Sequence, residues 1–298
     1  MDFSGIFPAL TTPFADDGSI SITDLKHNIQ QYNGTGLAGY VVIGSTGESV
    51  LLSKSEIEAV LAAVKEAASR DKKLIAGTGA ESTTETVERT KRAAKLGYDA
   101  ALVKTPYYYK PAYKPEVYIA HYRRVADESP IPVMLYSVPQ FTGVALEPQE
   151  VAVLSEHPNI IGIKESSGNV QRVAEIIANV QPDFQVLVGS AATIYPSLAI
   201  GARGAILALG SALPEKCVTL YELFRQGQHE KARKLQEVML RASKLIVSEC
   251  GIAGVKYAMD QRGYRGGLPR LPLLPLKDEQ KKRVNALLET LEPAAMRA

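Results

Sequence analysis

The sequence predicts an α/β fold, a (β/α)₈ TIM barrel with a C-terminal helical extension, on three observations. Short β-branched or apolar runs recur eight times along the chain, helical patterns separate them, and chemistry-bearing polar residues gather where the runs end. The runs are Ile6–Thr11, Leu37–Ile43, Lys73–Gly77, Asp99–Lys104, Ile131–Tyr136, Ile160–Lys164, Gln185–Gly189 and Gly204–Ala208. Most are continuously apolar rather than alternating, as expected for strands covered on both faces of a parallel sheet. Eight strand–helix units are what a barrel requires. An open, doubly wound sheet uses the same βαβ grammar and is the main competitor.

The helices between the runs carry their own start and stop signals. Ser53-Lys-Ser-Glu56 and Ser82-Thr-Thr-Glu85 both fit a capping box, in which hydroxyl and carboxylate satisfy orphan amides reciprocally. Gly97 follows Ala93–Leu96 as a helix-ending glycine. The barrel is expected over residues 1–225. Residues 226–298 read as a helical extension packed on it, with helices at Gln228–Ser248 and Lys277–Leu291 joined by the Gly- and Pro-rich segment Gly263–Pro275. One motif is a decoy. Gly34-Thr-Gly36-Leu-Ala-Gly39 matches G-x-G-x-x-G, but a dinucleotide site needs that run to follow a strand and open a helix. Here it precedes a strand.

Composition narrows the function classes. Of 298 residues, 46% are hydrophobic and 22% charged, ordinary values for a chain with a sizeable core. Thirty-four basic and 32 acidic residues leave a net charge of +2, without the clustered excess of Lys and Arg that marks a nucleic-acid surface. No apolar run approaches the ~18 residues of a membrane span, and Met1–Gly5 does not open a signal peptide. A cytoplasmic protein is expected. Cys217 and Cys250 fall in no metal or redox spacing and read as packing residues. His27, His121, His157 and His229 form no ligand pattern, so no metal or other cofactor is expected.

In a barrel the chemistry sits at the C-terminal ends of the strands. Strand six, Ile160-Ile-Gly-Ile163, ends in Lys164-Glu165-Ser166-Ser167-Gly168. A lysine rooted in an isoleucine-rich run is partly desolvated, which disfavours the ammonium, and an uncharged amine is what attack on a carbonyl needs. Strand two ends in Gly44-Ser45-Thr46-Gly47-Glu48, whose glycines allow a tight backbone that exposes amides and hydroxyls to a carboxylate. Strand four ends in Thr105-Pro106-Tyr107-Tyr108-Tyr109 and strand five in Tyr136-Ser137-Val138-Pro139. A tyrosine linked to a threonine hydroxyl and a second phenol is a plausible proton carrier.

These stretches resemble the dihydrodipicolinate synthase / N-acetylneuraminate lyase family over nearly the whole chain. Gly44–Glu48 is similar to its G-x-x-G-E loop, Tyr136–Pro139 to its Y-N-x-P segment, and Gly162-Ile-Lys-Glu165 to its G-x-K-[DE] segment. The resemblance implies a class I aldolase in which Lys164 forms an imine with pyruvate or a 2-keto acid. It implies that Tyr136 is the general acid/base, and that Thr46 and Tyr108 complete its proton relay. Ser45, Thr46, Ser137, Gly189 and Ile206 would bind the substrate. Tyr108 would reach the site of a neighbouring subunit, so a homotetramer built as a dimer of dimers is implied.

The family's synthases carry Y-N-V-P-x-R-T-G, whose arginine clamps a carboxylate through a bidentate pair. This chain reads Tyr136-Ser-Val-Pro-Gln-Phe141-Thr-Gly143, and a phenyl ring cannot replace a guanidinium. The resemblance is greatest to the 4-hydroxy-2-oxoglutarate aldolases, through Ala76–Thr83, Ser129–Pro132, Glu156–Ile160, Gly251–Lys256 and Gly263–Gly267. Those enzymes have asparagine where this chain has Phe141, so Ser137 or Gln140 would hold the second carboxylate. Cleavage of 4-hydroxy-2-oxoglutarate to pyruvate and glyoxylate is therefore the first expectation. Condensation of pyruvate with aspartate semialdehyde is the alternative. A 2-keto-3-deoxy sugar-acid aldolase or dehydratase, or a non-catalytic keto-acid binder, comes behind both.

Overall fold

The computed structural model describes residues 1–291; residues 292–298, the end of the expected extension, lie outside the described residues. Among those described, eight parallel strands make one sheet: β1 (Gly5–Pro8), β2 (Gly39–Val42), β3 (Lys73–Gly77), β4 (Ala100–Lys104), β5 (Val133–Ser137), β6 (Ile160–Glu165), β7 (Gln185–Val188) and β8 (Gly204–Leu207). The order runs β1-β8-β7-β6-β5-β4-β3-β2. The Leu10 and Ala38 amides donate to Val41 and Ile6 carbonyls across the remaining seam, so β1 meets β2 and the barrel closes. The chain is a TIM barrel, as the eight runs implied.

Both faces of the sheet are apolar, for different partners. Phe7, Val41, Ile75, Leu102, Met134 and Ile206 point inward and fill the barrel. Residues of the opposite parity, such as Tyr40, Val42, Leu74, Val103 and Leu135, pack under the helices. Double burial erases the alternation that a half-exposed strand would show. Most observed strands are shorter than the apolar runs. Thr11, for example, lies beyond β1, where the chain has already left the sheet and its hydroxyl reaches Met259 Sδ at 3.3 Å.

The barrel helices are α1 (Ile22–Asn33), α2 (Lys54–Ala67), α3 (Thr83–Lys95), α4 (Pro115–Glu128), α5 (Pro139–Thr142), α6 (Pro148–Ser155), α7 (Val170–Asn179), α8 (Ile194–Ala199) and α9 (Pro214–Arg225). Ser53 and Glu56 make the full capping box at α2. At α3 only half of it forms: Ser82 accepts from the Glu85 amide, whereas the Glu85 carboxylate turns to Arg89 and Arg92. Gly97 takes φ +80° just past α3, the left-handed turn foreseen for it. The run Gly34–Gly39 leads from α1 into β2 and opens no helix.

Beyond α9 come α10 (His229–Ala242), α11 (Gly251–Gln261) and α12 (Asp278–Leu291). The expected helix Gln228–Ser248 is two pieces, because α10 gives way to a π-helix over Ser243–Glu249. Helix α11 was not foreseen. Gly254 is what lets α11 approach the π-helix: a Cβ there would lie 2.3 Å from the Ile246 carbonyl oxygen. The π-helix contacts the turns that follow β7 and β8, so the extension roofs one side of the barrel mouth. No helix among the described residues is long and apolar enough to cross a membrane.

Candidate active site

Lys164 ends β6 and faces the barrel axis. In register, Lys104 of β4 pairs with Tyr136 of β5, and Tyr136 pairs with Lys164. Paired residues of parallel strands point to the same face, so the three form one layer at the mouth. Lys164 is buried, and its Nζ sits 4.3 Å from the centre of the Tyr136 ring. The Tyr136 hydroxyl in turn lies 3.3 Å from Ser45 Oγ. Lys164 and Tyr136 open into a cavity of about 270 Å³ shared with Thr46, Ser166, Gly189 and Val247.

The loop after β2 is held in a sparsely populated backbone. Ile43 and Glu48, at its two ends, have φ of +59° and +55°. The left-handed region is strongly disfavoured for a β-branched residue, and such strain persists only where the surroundings impose it. Gly77 makes room for the kink, since a Cβ there would lie 2.1 Å from the Ile43 carbonyl oxygen. Glu48 is pinned on three sides. Its carboxylate meets Lys256 Nζ at 2.6 Å, accepts from the Arg270 amide at 2.8 Å, and its own amide donates to the Ser45 carbonyl. Burial pushes the Lys256 ammonium down, and Glu48 beside it opposes that shift. The turn Ser45–Gly47 is thus tied to the extension through α11.

Within that turn the hydroxyl that lies beside Tyr136 is not the one expected there. Ser45, not Thr46, meets Tyr136. Successive residues of a 3₁₀ turn point about 120° apart, so both cannot face the same phenol; Thr46 instead lines the cavity with Lys164. Ser137 also departs from expectation. Strand alternation sends it to the outer face, fully buried, where its Oγ receives the Leu146 amide. Gln140 lines the cavity but spends its amide on the Ser166 carbonyl. Ile206 lies in the barrel interior beneath the mouth. Gly189 lines the cavity, and only glycine fits it: a Cβ would stand 1.8 Å from Ser166 Oγ. Tyr108 is exposed and stacks edge-on against Tyr109, and it does not line this cavity.

Three participants escaped the sequence reading. Ser166 Oγ is buried, has no hydrogen-bond partner among the described residues, and borders the Lys164 cavity. The π-helix supplies Ser243, Val247 and Ser248 to the opposite wall. Lys256 pairs with a loop 208 positions away, and nothing local in its helix signals that. No His lines the cavity, and no group of three or more His, Cys, Asp and Glu among the described residues is placed to hold a metal ion.

The model of the dihydrodipicolinate synthetase family matches residues 2–291. The chain belongs to that family. It is a family enzyme of the class I aldolase type. The 4-hydroxy-tetrahydrodipicolinate synthase of an Exiguobacterium species is 37% identical over 287 residues, spanning 96% of this chain and 97% of its own. The synthase of Xanthomonas campestris is 40% identical over 277 residues, 93% of this chain and 90% of its own. Among solved structures, a dihydrodipicolinate synthase from Bacillus anthracis superposes with a TM-score of 0.94 at 31% identity, covering 98% of this chain and all of the other. A family member from Escherichia coli K12, solved in complex with pyruvate, gives a TM-score of 0.91 at 30% identity over 97% and 98% of the two chains.

Proposed function

We propose that this family enzyme joins pyruvate to an aldehyde, or reverses that reaction, through an imine on Lys164. The observation that carries the reading is the contiguous set Lys164, Tyr136 and Ser45, with the amine over the phenol ring and the phenol within reach of the serine hydroxyl. Lys164 Nζ adds to the keto carbon of pyruvate and water leaves. The resulting iminium draws electrons from the adjacent methyl carbon, which loses a proton to give an enamine. The enamine carbon bonds to the aldehyde carbon, and the nascent alkoxide takes its proton from the Tyr136 hydroxyl, which Ser45 resupplies. Water then releases the product and the free amine. Thr46, with amides of the Ser45–Gly47 turn, holds the pyruvate carboxylate, and Gly189 keeps the floor of the cavity open. Tyr108, exposed in the protomer, is the group we assign to a neighbouring subunit's relay, in a homotetramer.

For the aldehyde half, the synthases named above favour aspartate semialdehyde, a change from the first expectation of 4-hydroxy-2-oxoglutarate cleavage. That second reading keeps one observation in its favour: Phe141 stands exposed at the cavity mouth where a synthase clamp would be cationic. Borohydride reduction in the presence of pyruvate, followed by peptide mass analysis, tests the shared chemistry. An adduct on Lys164 supports it, and no adduct overturns it. Rates with pyruvate plus aspartate semialdehyde, set beside pyruvate release from 4-hydroxy-2-oxoglutarate, then decide between the two acceptors.

A further inference from the structure

We infer that Lys104 recognises a carboxylate on the aldehyde partner, so that the acceptor class is short anionic aldehydes. The inference deepens the pyruvate–imine reading and rests on it.

Strand β4 places Lys104 where such a group is needed. Ala100 and Leu102 point into the barrel, and Lys104 continues that alternation one step higher, beside Tyr136 in the register. It lines a second cavity, of about 300 Å³, with Ser45, Tyr107 and Leu273. This cavity adjoins the one at Lys164, for Val138, Phe141 and Ile252 border both. Neighbouring strands lie about 4.8 Å apart, so Lys104 and Lys164, two strands apart, are separated by roughly 10 Å at the backbone. An aldehyde carbon at the Lys164 enamine, with its oxygen at Tyr136, would direct a tail of a few atoms towards Lys104.

Charge points the same way. Among the described residues lining either cavity, Lys104 is the sole cationic side chain besides Lys164, and the only carboxylate, Glu48, is consumed by Lys256. Lys104 itself is poorly matched. Its nearest carboxylate oxygen, Glu81 Oε1, is 3.9 Å away, too long for a hydrogen bond. The other oxygen of Glu81 is engaged by the amides of Tyr107 and Tyr108. Lys104 Nζ rests 5.1 Å from the Tyr107 ring centre, with three donors to offer. The site is also built around this side chain. Gly79 lies so close that a Cβ would stand 2.5 Å from the Lys104 amide nitrogen and 2.8 Å from its Cγ. Burial pushes the ammonium's pKa down, Glu81 opposes that, and Arg89 adds to it. A desolvated cation gains more from an incoming carboxylate than a hydrated one. The walls beside it, Val138, Phe141 and Ile252, suit a short carbon chain rather than a polyhydroxylated one.

The test compares Lys104→Met and Lys104→Arg with the wild-type enzyme. Aldol formation from pyruvate is followed with glyoxylate and succinate semialdehyde as anionic acceptors, and with acetaldehyde and propionaldehyde as neutral ones. Lys104→Met is expected to lower the anionic-to-neutral ratio of kcat/KM by about 10–100-fold, the size of one hydrogen bond to a charged group, chiefly through KM. Lys104→Arg should keep most of the ratio. An unchanged ratio in Lys104→Met, or a wild-type enzyme indifferent to acceptor charge, overturns the inference. Borohydride trapping of pyruvate on each variant separates the two levels. Its loss in the wild type sinks the imine reading, whereas trapping that persists with an unchanged ratio sinks the role of Lys104 alone.

Discussion

Replacing Lys256 by methionine isolates what the buried pair contributes. The Lys256 and Glu48 side chains are 1% and 0% exposed and meet at 2.6 Å. Lys256 Nζ also donates to the Leu268 carbonyl at 2.8 Å and lies 4.4 Å from the Phe14 ring centre. Methionine keeps most of the stem volume, so the change removes charge rather than opening a large void. It leaves Glu48 a buried carboxylate with the Arg270 amide as its remaining partner. Breaking one side of such a pair costs about 3–5 kcal/mol, set against a typical domain stability of about 5–15 kcal/mol. The variant should fold, with a lowered urea midpoint. Because Glu48 anchors the strained end of the Ser45–Gly47 turn, KM for pyruvate should rise as well. The double change Glu48→Gln with Lys256→Met neutralises both partners and leaves a carbonyl for the Arg270 amide. It should be more stable than Lys256→Met alone by at least ~1 kcal/mol, because no buried charge is stranded. A loss below ~1 kcal/mol in the single variant, or a double variant as unstable as the sum of its parts, would refute the reasoning.

Other substitutions probe separate links. Lys164→Ala should abolish borohydride trapping of pyruvate while circular dichroism stays native; trapping at a different lysine would reject the assignment. Tyr136→Phe should still form the imine but lose about 10²–10⁴-fold in turnover if the phenol carries the proton, and a rate within a few-fold of wild type would remove it from the mechanism. Gly189→Ala should cost about 1–3 kcal/mol of stability from overpacking against Ser166 and weaken pyruvate capture, which a trapping titration would read. His121 is buried, with Thr83 on Nδ1, and burial pushes its pKa down from 6.5 to about 4, Glu81 opposing and Lys104 reinforcing. Between those values the unfolded chain binds the proton that the folded one refuses. Stability should therefore be intact above pH ~6.5 and fall as the pH drops towards ~4, by an amount on the order of 3 kcal/mol. His121→Phe should flatten that stretch of the stability–pH curve, and an unaltered slope would contradict the assignment.

What the sequence made legible follows from the range of each signal. Strands β3 and β6 could be read because burial on both faces writes an unbroken apolar run, and the place of Lys164 at the mouth because it closes such a run. Tyr136 came with its strand end in the same way. The signals that failed were those in which local pattern and spatial partner part company. Ser45 and Thr46 are neighbours in sequence, and only the 3₁₀ geometry of their turn decides which of them meets Tyr136. Ser137 follows Tyr136 directly, and that adjacency is what sends it to the other face of the sheet.

The remaining misses share a cause: their meaning is set by residues far along the chain. Helix α11 was not among the expected helices, and the use of Gly254 shows only once the π-helix is there to receive it. Lys256 carries no local sign of its partner, because Glu48, which with the Leu268 carbonyl takes up its ammonium among the described residues, lies on a loop after β2. Lys104 is the sharpest case, because its run ended on it. No role was attached to the lysine that closes the β4 run, whereas the one that closes the β6 run sits in the Gly162–Glu165 segment, although both project inward in one layer with Tyr136 between them. The difference between the two lay in motif context, not in physics. Barrel parity treats the two positions alike, and that equivalence gives the second lysine a claim on the substrate.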